Sequence, residues 1–407
     1  MGEQVGILVD GPHPAVMGTY QRTNIMFERG EGAWLITKSG DRYLDFTSGV
    51  AVNTFGHADY DLAKVLSDQA HKLWHTSNLY RVEDQERLAK LLCKHSFAES
   101  VFFCNSGAEA CECAVKLARR YHFENGAPQR NRIITFEGSF HGRTLAMIAT
   151  GGNPKYTNGF APNVPGFDIV PFARHDIVKS VISDETAAVM IEPVMGEGGI
   201  RVIPKQCLRG LRELCDANGL LLILDEVQTG AGRSGRLFAH EWVEIQPDVM
   251  AVAKGIGGGF PIGAVMATAD AAKGMVPGTH GSTFGGNPLA TAVGCAVVEK
   301  LMAPEFLKDV CRKGVLLKQL LVDLKSRFPC IVEEVRGLGL LTGVKLKISV
   351  ADAVRACFYE KLLTVSAGDN VMRLIPPLNV TDVEISDAAG RLDRAFARIV
   401  SHRLPRK

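Results

Sequence analysis

Apolar positions fall into two alternating patterns through the middle of the chain. One is the short unbroken run of a strand buried on both faces: 101-VFFC-104, 132-RIITFE-137, 187-AAVMIEP-193, 220-LLLILDE-226 and 249-VMAVAK-254. The other is the spacing of an amphipathic helix. Val115, Ala118 and Tyr121 mark one over 105–121, and Leu208, Leu211 and Cys215 mark another over 205–219, closed by Gly219. Such strands alternating with helices predict an α/β fold, a mostly parallel sheet with helices on both faces. Sheets of this kind bind ligands at the carboxyl ends of their strands. That rim would carry Asp225, Glu226 and Lys254, with the loops after Phe102 and Phe136.

A second, smaller α+β unit follows. A helix over 289–301 leads out of the first unit. Then come strand, glycine-rich turn and strand over 331–346, a helix over 351–362, a strand over 371–378 and a closing helix over 384–400. Near the start, 33-AWLITKSGDRYLDF-46 reads as a hairpin around Ser39-Gly40-Asp41. The expected division is a segment 1–60 packing with the small domain, a large domain 61–300 and a small domain 301–407. Neither repeats nor low-complexity linkers separate them, so a broad interface is expected.

Composition narrows this picture only a little. At 407 residues the chain exceeds one ordinary core. With 46 basic and 44 acidic residues and a net charge of +2, it offers no basic surface for nucleic acid or an anionic membrane. The longest apolar runs, such as 220-LLLIL-224, fall far short of the ~20 residues of a membrane helix. The opening MGEQVGILVDGPHP has no basic-then-apolar leader, and Gly6 breaks the myristoylation pattern. Ten scattered cysteines suggest reduced thiols and a cytoplasmic enzyme. No metal is expected: Cys111 and Cys113 would face different sides of a helix, and 71-HKLWH-75 lacks a glutamate base. Segment 230-GAGRSGRL-237 approximates a phosphate loop, but Arg236 and Leu237 stand where Lys and Ser or Thr are required.

Four places on the rim could carry chemistry. Lys254, followed by Gly255 and Gly257 to Gly259, is either a solvated loop lysine or a desolvated amine able to attack a carbonyl. Asp225, ending an apolar strand, is either a turn-forming aspartate or the partner of a protonated pyridine nitrogen, with Val227 and Gln228 suited to a ring face and a ring hydroxyl. In 105-NSGAEA-110 small residues open a helix after a strand, as an ordinary cap or as a phosphate site. In 136-FEGSFHGRTLA-146, Phe140 could stack on an aromatic ring and Arg143 could hold a carboxylate; otherwise they are a loop residue and a surface ion pair. One cofactor, pyridoxal phosphate (PLP), calls for all four.

The segments NSGAEA, FHGRT, EPVMGEGG, LDEVQTGAGRSG, AKGIGGGFPIGA, GSTFGGNP and RLIPPL resemble the class-III, fold-type I PLP-dependent aminotransferases, from about Tyr20 to Leu378. FHGRT and the compact length are most similar to the bacterial acetylornithine branch. The resemblance implies that Lys254 carries PLP as a Schiff base and that Asp225 pairs with its ring nitrogen. Val227 and Phe140 would sandwich the ring, Gln228 would meet its hydroxyl, and Gly107 and Ala108 would bind its phosphate. Thr283 would reach the cofactor of a second subunit, making a homodimer. Arg143 would hold the donor's α-carboxylate with Ser282 nearby. Glu197 and Arg373 would form a pair that opens for 2-oxoglutarate, and N-acetylornithine would be the amino donor, with succinyl-diaminopimelate as a second substrate and ornithine, succinylornithine or 4-aminobutyrate as the alternative donors. Two departures stand out, Met195 before GE and Cys111 with Cys113 after NSGAEA; neither is expected to touch a catalytic role, but Met195 stands close enough to Glu197 to bear on the switch.

Overall fold

A computed structural model of the protein describes residues 15–403. The opening fourteen residues, read above for a leader and a myristoylation signal, lie outside them. Three short strands come first, β1 (Phe27–Glu31), β2 (Trp34–Thr37) and β3 (Arg42–Asp45). The next four are β4 (Ser100–Cys104), β5 (Arg132–Phe136), β6 (Phe167–Val170) and β7 (Thr186–Ile191). A two-stranded ribbon, β8 (Val194–Met195) and β9 (Arg201–Val202), is followed by β10 (Leu221–Asp225), β11 (Val249–Val252) and β12 (Gly263–Ala267). The last five are β13 (Val332–Leu338), β14 (Leu341–Leu346), β15 (Leu362–Leu363), β16 (Val365–Ala367) and β17 (Val371–Leu374).

The central sheet has the order β4-β12-β11-β10-β7-β5-β6. Strand β12 runs antiparallel to both neighbours, while the pairs among β11, β10, β7, β5 and β6 are parallel. The sequence pattern missed β12, because 263-GAVMA-267 follows so closely on the glycines after Lys254 that it reads as part of their loop. Two antiparallel steps restore direction, so β4 ends on the same rim as β10 and β11.

The unbroken apolar runs are explained by burial on both faces. In β10, Leu221 and Ile223 join the core formed with Ala114, Leu117 and Ala118 of the helix Gly107–Glu124. Leu222 and Leu224 join the opposite core, with Leu208, Leu211 and Cys215 of the helix Lys205–Asn218. That second helix stops at Gly219, whose φ of 63° is the left-handed conformation a glycine adopts most cheaply. The helix Pro288–Leu301 starts on an Asn287 cap with Pro288 in the first turn, and its Val293 and Val297 pack with Leu88 and Leu92.

The remaining strands build outward from the same core. The predicted hairpin is β2–β3, and β3 continues in parallel pairing with β15, joining residues near the start of the chain to residues near its end. A third sheet has the order β13-β14-β17-β16. Two predicted strands are shorter than expected. The run over 371–378 ends at Leu374, because Pro376 and Pro377 cannot donate to a ladder. The run over 249–254 ends at Val252, and Lys254 opens a tight turn, Lys254–Gly257, with φ of 47°. Thr54 Oγ1 braces this turn by donating to the Gly255 carbonyl at 2.6 Å.

Candidate active site

A cavity of about 410 Å³ opens at the rim, within the size range of small-molecule sites. It is lined by Asn105 to Ala108, Phe140 to Arg143, Glu192, Glu197, Asp225, Val227, Gln228, Lys254 and Phe260. Of the residues expected from sequence, Lys254, Asp225, Gly107, Ala108, Phe140, Val227, Gln228, Arg143 and Glu197 thus meet in one place.

Asp225 is the last residue of β10 and is buried. Its Oδ1 accepts from the Val227 N–H at 3.0 Å. Its Oδ2 accepts from His141 Nδ1 at 2.7 Å and from Cys111 Sγ at 3.4 Å. Cys111 was expected to touch no catalytic role; the structure corrects this, because one helical turn after Gly107 brings its thiol onto Asp225. Burial alone would lower the His141 pKa, but the hydrogen bond and the charge of Asp225 outweigh it and raise it. Burial and the Asp225 charge push the Cys111 thiol well up. These three ligand-type atoms lie within 4.8 Å of one another, and hydrogen bonds to Oδ2 already engage them.

Glu226, the neighbouring residue, turns away from the cavity. Its carboxylate accepts from Thr229 Oγ1, the Ala239 and His240 N–H groups, and His240 Nδ1. The sequence placed both carboxylates on the rim; only Asp225 lines the cavity.

Glu192 follows directly on β7 and is also buried. It accepts from the Phe140 N–H at 2.9 Å and the Gly196 N–H at 3.1 Å, tying two loops of the cavity wall together. Burial and the Asp225 charge push its pKa up to about 7, against the pull of His141 and of the two N–H groups. Sequence reading passed over Glu192, although it carries the signal that singled out Asp225: a carboxylate at the end of a fully buried strand.

Lys254 Nζ projects into this space with no hydrogen bond or ion pair among the described residues. Burial lowers its pKa most, opposed by Glu197, Asp225 and Glu192 and reinforced by Arg373. At the far end, Ser106 Oγ caps the helix Gly107–Glu124 through the Glu109 N–H at 3.2 Å. Gly107 and Ala108 are the first helical residues, so no intrahelical carbonyl takes their N–H groups. A Cβ at Gly107 would stand 2.7 Å from Val227 Cγ1, which fixes how closely the helix start and the Val227 side chain approach.

Arg143 is exposed at the mouth, its guanidinium 4.2 Å above the Tyr156 ring centroid and 5.4 Å from that of Phe140. Arg373, on β17, is buried and pairs with Glu197 at 2.5 Å, while its Nη2 donates to the Ser366 carbonyl. Ser282 and Thr283 do not line this cavity. Ser282 Oγ accepts from Asn105 Nδ2 at 3.2 Å, and Thr283 is exposed beside Thr76 and Asn78. Met195 is buried in the core behind β7.

A family model for the class-III aminotransferases matches residues 16–396. The chain belongs to the class-III aminotransferases. It is similar to acetylornithine aminotransferase 1 of Bradyrhizobium diazoefficiens, 55% identical over 98% of this chain and 99% of the relative. The acetylornithine aminotransferase of Mesorhizobium japonicum is 56% identical over 94% and 96%. Among solved structures, ornithine aminotransferase from Toxoplasma gondii superposes with a TM-score of 0.92 at 32% identity, over 96% of this chain and 94% of that one. N-acetylornithine aminotransferase from Stenotrophomonas maltophilia does so with a TM-score of 0.83 at 38% identity, over 94% and 98%.

Class-III aminotransferases are PLP-dependent transaminases, and the cavity fits that cofactor. An unpaired amine, Lys254, suits its aldehyde. A buried carboxylate, Asp225, suits a protonated ring nitrogen. Gln228 Oε1 is buried without a partner and suits a ring hydroxyl. A capped helix start suits its phosphate.

Proposed function

We propose that this class-III aminotransferase moves the terminal amino group of N-acetylornithine to 2-oxoglutarate. The observation that carries this reading is the pair of carboxylate-binding arginines in opposite states: Arg143 free at the mouth and Arg373 covered by Glu197. A donor with one carboxylate needs only Arg143. A dicarboxylate such as 2-oxoglutarate needs a second cation, which Glu197 would uncover by swinging aside. The names of the curated relatives support the same donor.

Bound PLP supplies an electrophilic carbon and an electron sink. The protein's residues do the rest. Asp225, held by His141, Cys111 and the Val227 N–H, would set its carboxylate against the ring nitrogen. Gln228 would orient the ring hydroxyl, and Phe140 and Val227 would hold the ring. The N–H groups of Gly107 and Ala108 would bind the phosphate. Lys254 Nζ, whose pKa burial lowers, would take the proton from the substrate carbon and return it one position away, as general base and then general acid. Arg143 fixes the donor's α-carboxylate so that its terminal amine reaches Lys254.

A homodimer completes this reading. Leu73, Trp74, Leu79, Tyr80 and Phe284 are exposed around the loop of Ser282 and Thr283, a large apolar patch for a surface. A second copy covering it would bring Thr283 to the neighbouring cofactor's phosphate and Ser282 near the donor. The expected cytoplasmic location accords with ten free cysteines and with the lack, among the described residues, of a helix long and apolar enough to cross a membrane.

Steady-state kinetics on a donor panel tests the substrate. N-acetylornithine should give the highest kcat/KM against 2-oxoglutarate, above ornithine and 4-aminobutyrate. A higher value for free ornithine would overturn the assignment.

A further inference from the structure

Glu197 stands on the loop 196–200, which joins β8 to β9, and this loop is held at two points along its backbone. The Glu197 carbonyl accepts from the Gly368 N–H at 2.8 Å. Two residues on, the Gly199 carbonyl accepts from Arg336 Nη1 at 3.2 Å. The two chain segments touch closely here. A Cβ at Gly199 would stand 2.7 Å from the Gly368 carbonyl oxygen, and one at Gly368 would stand 2.9 Å from the Glu197 carbonyl oxygen. Neither glycine can take a side chain unless the other segment moves.

Both holds lead back to the hairpin that carries Arg373. Gly368, Asp369 and Asn370 form the turn between β16 and β17, with Asp369 and Asn370 at φ of 54° and 55°. Asn370 Nδ2 anchors the turn by donating to the Leu346 and Ile348 carbonyls at 2.7 and 2.6 Å. Asp369 pairs with Arg336 at 2.8 Å and with Lys345 at 3.4 Å. Arg336, on β13, also pairs with Glu334 at 2.7 Å, and its side chain is only 14% exposed. Such shielding makes these pairs firmer than exposed ones. Arg373 itself donates Nη1 to Glu197 and Nη2 to the Ser366 carbonyl on β16, while its Nε is buried without a partner. One hairpin therefore holds Arg373 by its strand and the backbone of Glu197 by its turn.

With its backbone fixed on both sides, Glu197 leaves Arg373 by rotating its side chain alone. We propose that Arg336 is a positioning residue: through the Gly199 carbonyl and Asp369 it clamps the Glu197 loop, so that the carboxylate stays over Arg373 until a dicarboxylate displaces it. This rests on the two-arginine reading proposed above and deepens it, since it assigns control of the covered state to a residue that lines no part of the cavity. A ligand that needs Arg373 binds with an affinity reduced by the fraction of time Arg373 is uncovered. Loosening the loop raises that fraction. Dicarboxylates should then bind more tightly, and monocarboxylates, which need only Arg143, should not.

The test uses the PLP-loaded enzyme and a matched pair of unreactive ligands, the dicarboxylate glutarate and the monocarboxylate pentanoate. Dissociation constants are read by titrating the absorbance of the bound cofactor. Arg336→Met should tighten glutarate about fivefold, the size of one net hydrogen bond, and move pentanoate less than about twofold. Glu197→Gln removes the covering charge and should tighten glutarate about tenfold. On that background Arg336→Met should add less than about twofold, because it acts through Glu197. In turnover, Arg336→Met should lower KM for 2-oxoglutarate with kcat nearly unchanged. Asp369→Asn releases Arg336 without removing it and should shift glutarate the same way by less; it carries the test if Arg336→Met does not fold. Glutarate binding that weakens or stays unchanged, an equal shift of pentanoate, or an undiminished shift on the Glu197→Gln background overturns the clamp. Glutarate binding unaffected by Glu197→Gln overturns the two-arginine reading itself, a separate failure visible before Arg336 is touched.

Discussion

Asp225 and Glu226 are adjacent in sequence, both buried, both beside a buried histidine, and they have opposite fates. Around Glu226 the polar valence is fully used: four donors converge on its two oxygens. Around Asp225 groups are left over. Among the described residues Lys254 Nζ is unpaired, and His141 Nε2 and Gln228 Oε1 are buried without partners. A fold gains nothing from a buried polar group it does not satisfy. The satisfied cluster accords with a structural role, and the cluster with groups left over accords with the ligand-binding role proposed above.

The sharpest way to break that contrast is at the unpaired amine. Lys254→Ala should abolish turnover and the yellow colour of the lysine-bound cofactor. The unfolding temperature should not fall, since the change removes a desolvated amine that takes part in no hydrogen bond or ion pair. Residual multiple turnover in a stopped-flow assay would remove Lys254 from the chemistry. The paired carboxylates come next. Asp225→Asn keeps the shape but loses the charge, so kcat should drop about 10²–10³-fold with little change in stability. Glu226→Ala should do the reverse. It strands two N–H groups, a hydroxyl and His240, so unfolding should cost about 3–5 kcal/mol less in denaturant titrations, with kcat of the remaining folded enzyme unchanged. A Glu226→Ala enzyme as stable as the wild type, but inactive, would invert the assignment of the two clusters.

Legibility from sequence follows the same division. The buried strands, their helices and the rim were readable because burial on two faces demands unbroken apolar runs. Asp225 and Lys254 were readable because a charge at the end of such a run is conspicuous. Strand β12 was not, since its glycine start joins the glycine loop before it. Nor was the difference between Asp225 and Glu226, because alternation sends neighbours to opposite sides of a strand end, and only the packing decides which side holds the cavity. Cys111, Tyr156 and Arg336 left no trace: each acts on a residue distant in the chain, Cys111 on Asp225, Tyr156 under Arg143 and Arg336 on Gly199. Ser282 and Thr283 were named through family resemblance alone, and neither lines the cavity.

The smallest effect concerns Glu192, which stands between the two cases: a buried carboxylate with two N–H donors, yet facing the cavity and the Asp225 charge. Its folded pKa, pushed up to about 7, lies above the ordinary value of 4.5. The folded protein therefore holds this proton over a pH range in which the unfolded chain has released it. Stability from this group is full below about pH 4.5 and declines as pH rises toward 7, after which the cost of the buried charge is constant. Glu192→Gln is neutral at every pH and removes that decline. In cofactor-free protein, the variant should gain on the wild type between pH 5 and 8, by on the order of 2 kcal/mol at pH 8. The amide oxygen can still accept one of the two N–H bonds, so at pH 5, where wild-type Glu192 is mostly neutral, the two proteins should nearly coincide. Unfolding temperatures measured across this range decide it. Parallel curves would mean that Glu192 is charged throughout, fully served by the Phe140 and Gly196 N–H groups, and belongs with Glu226 rather than with Asp225.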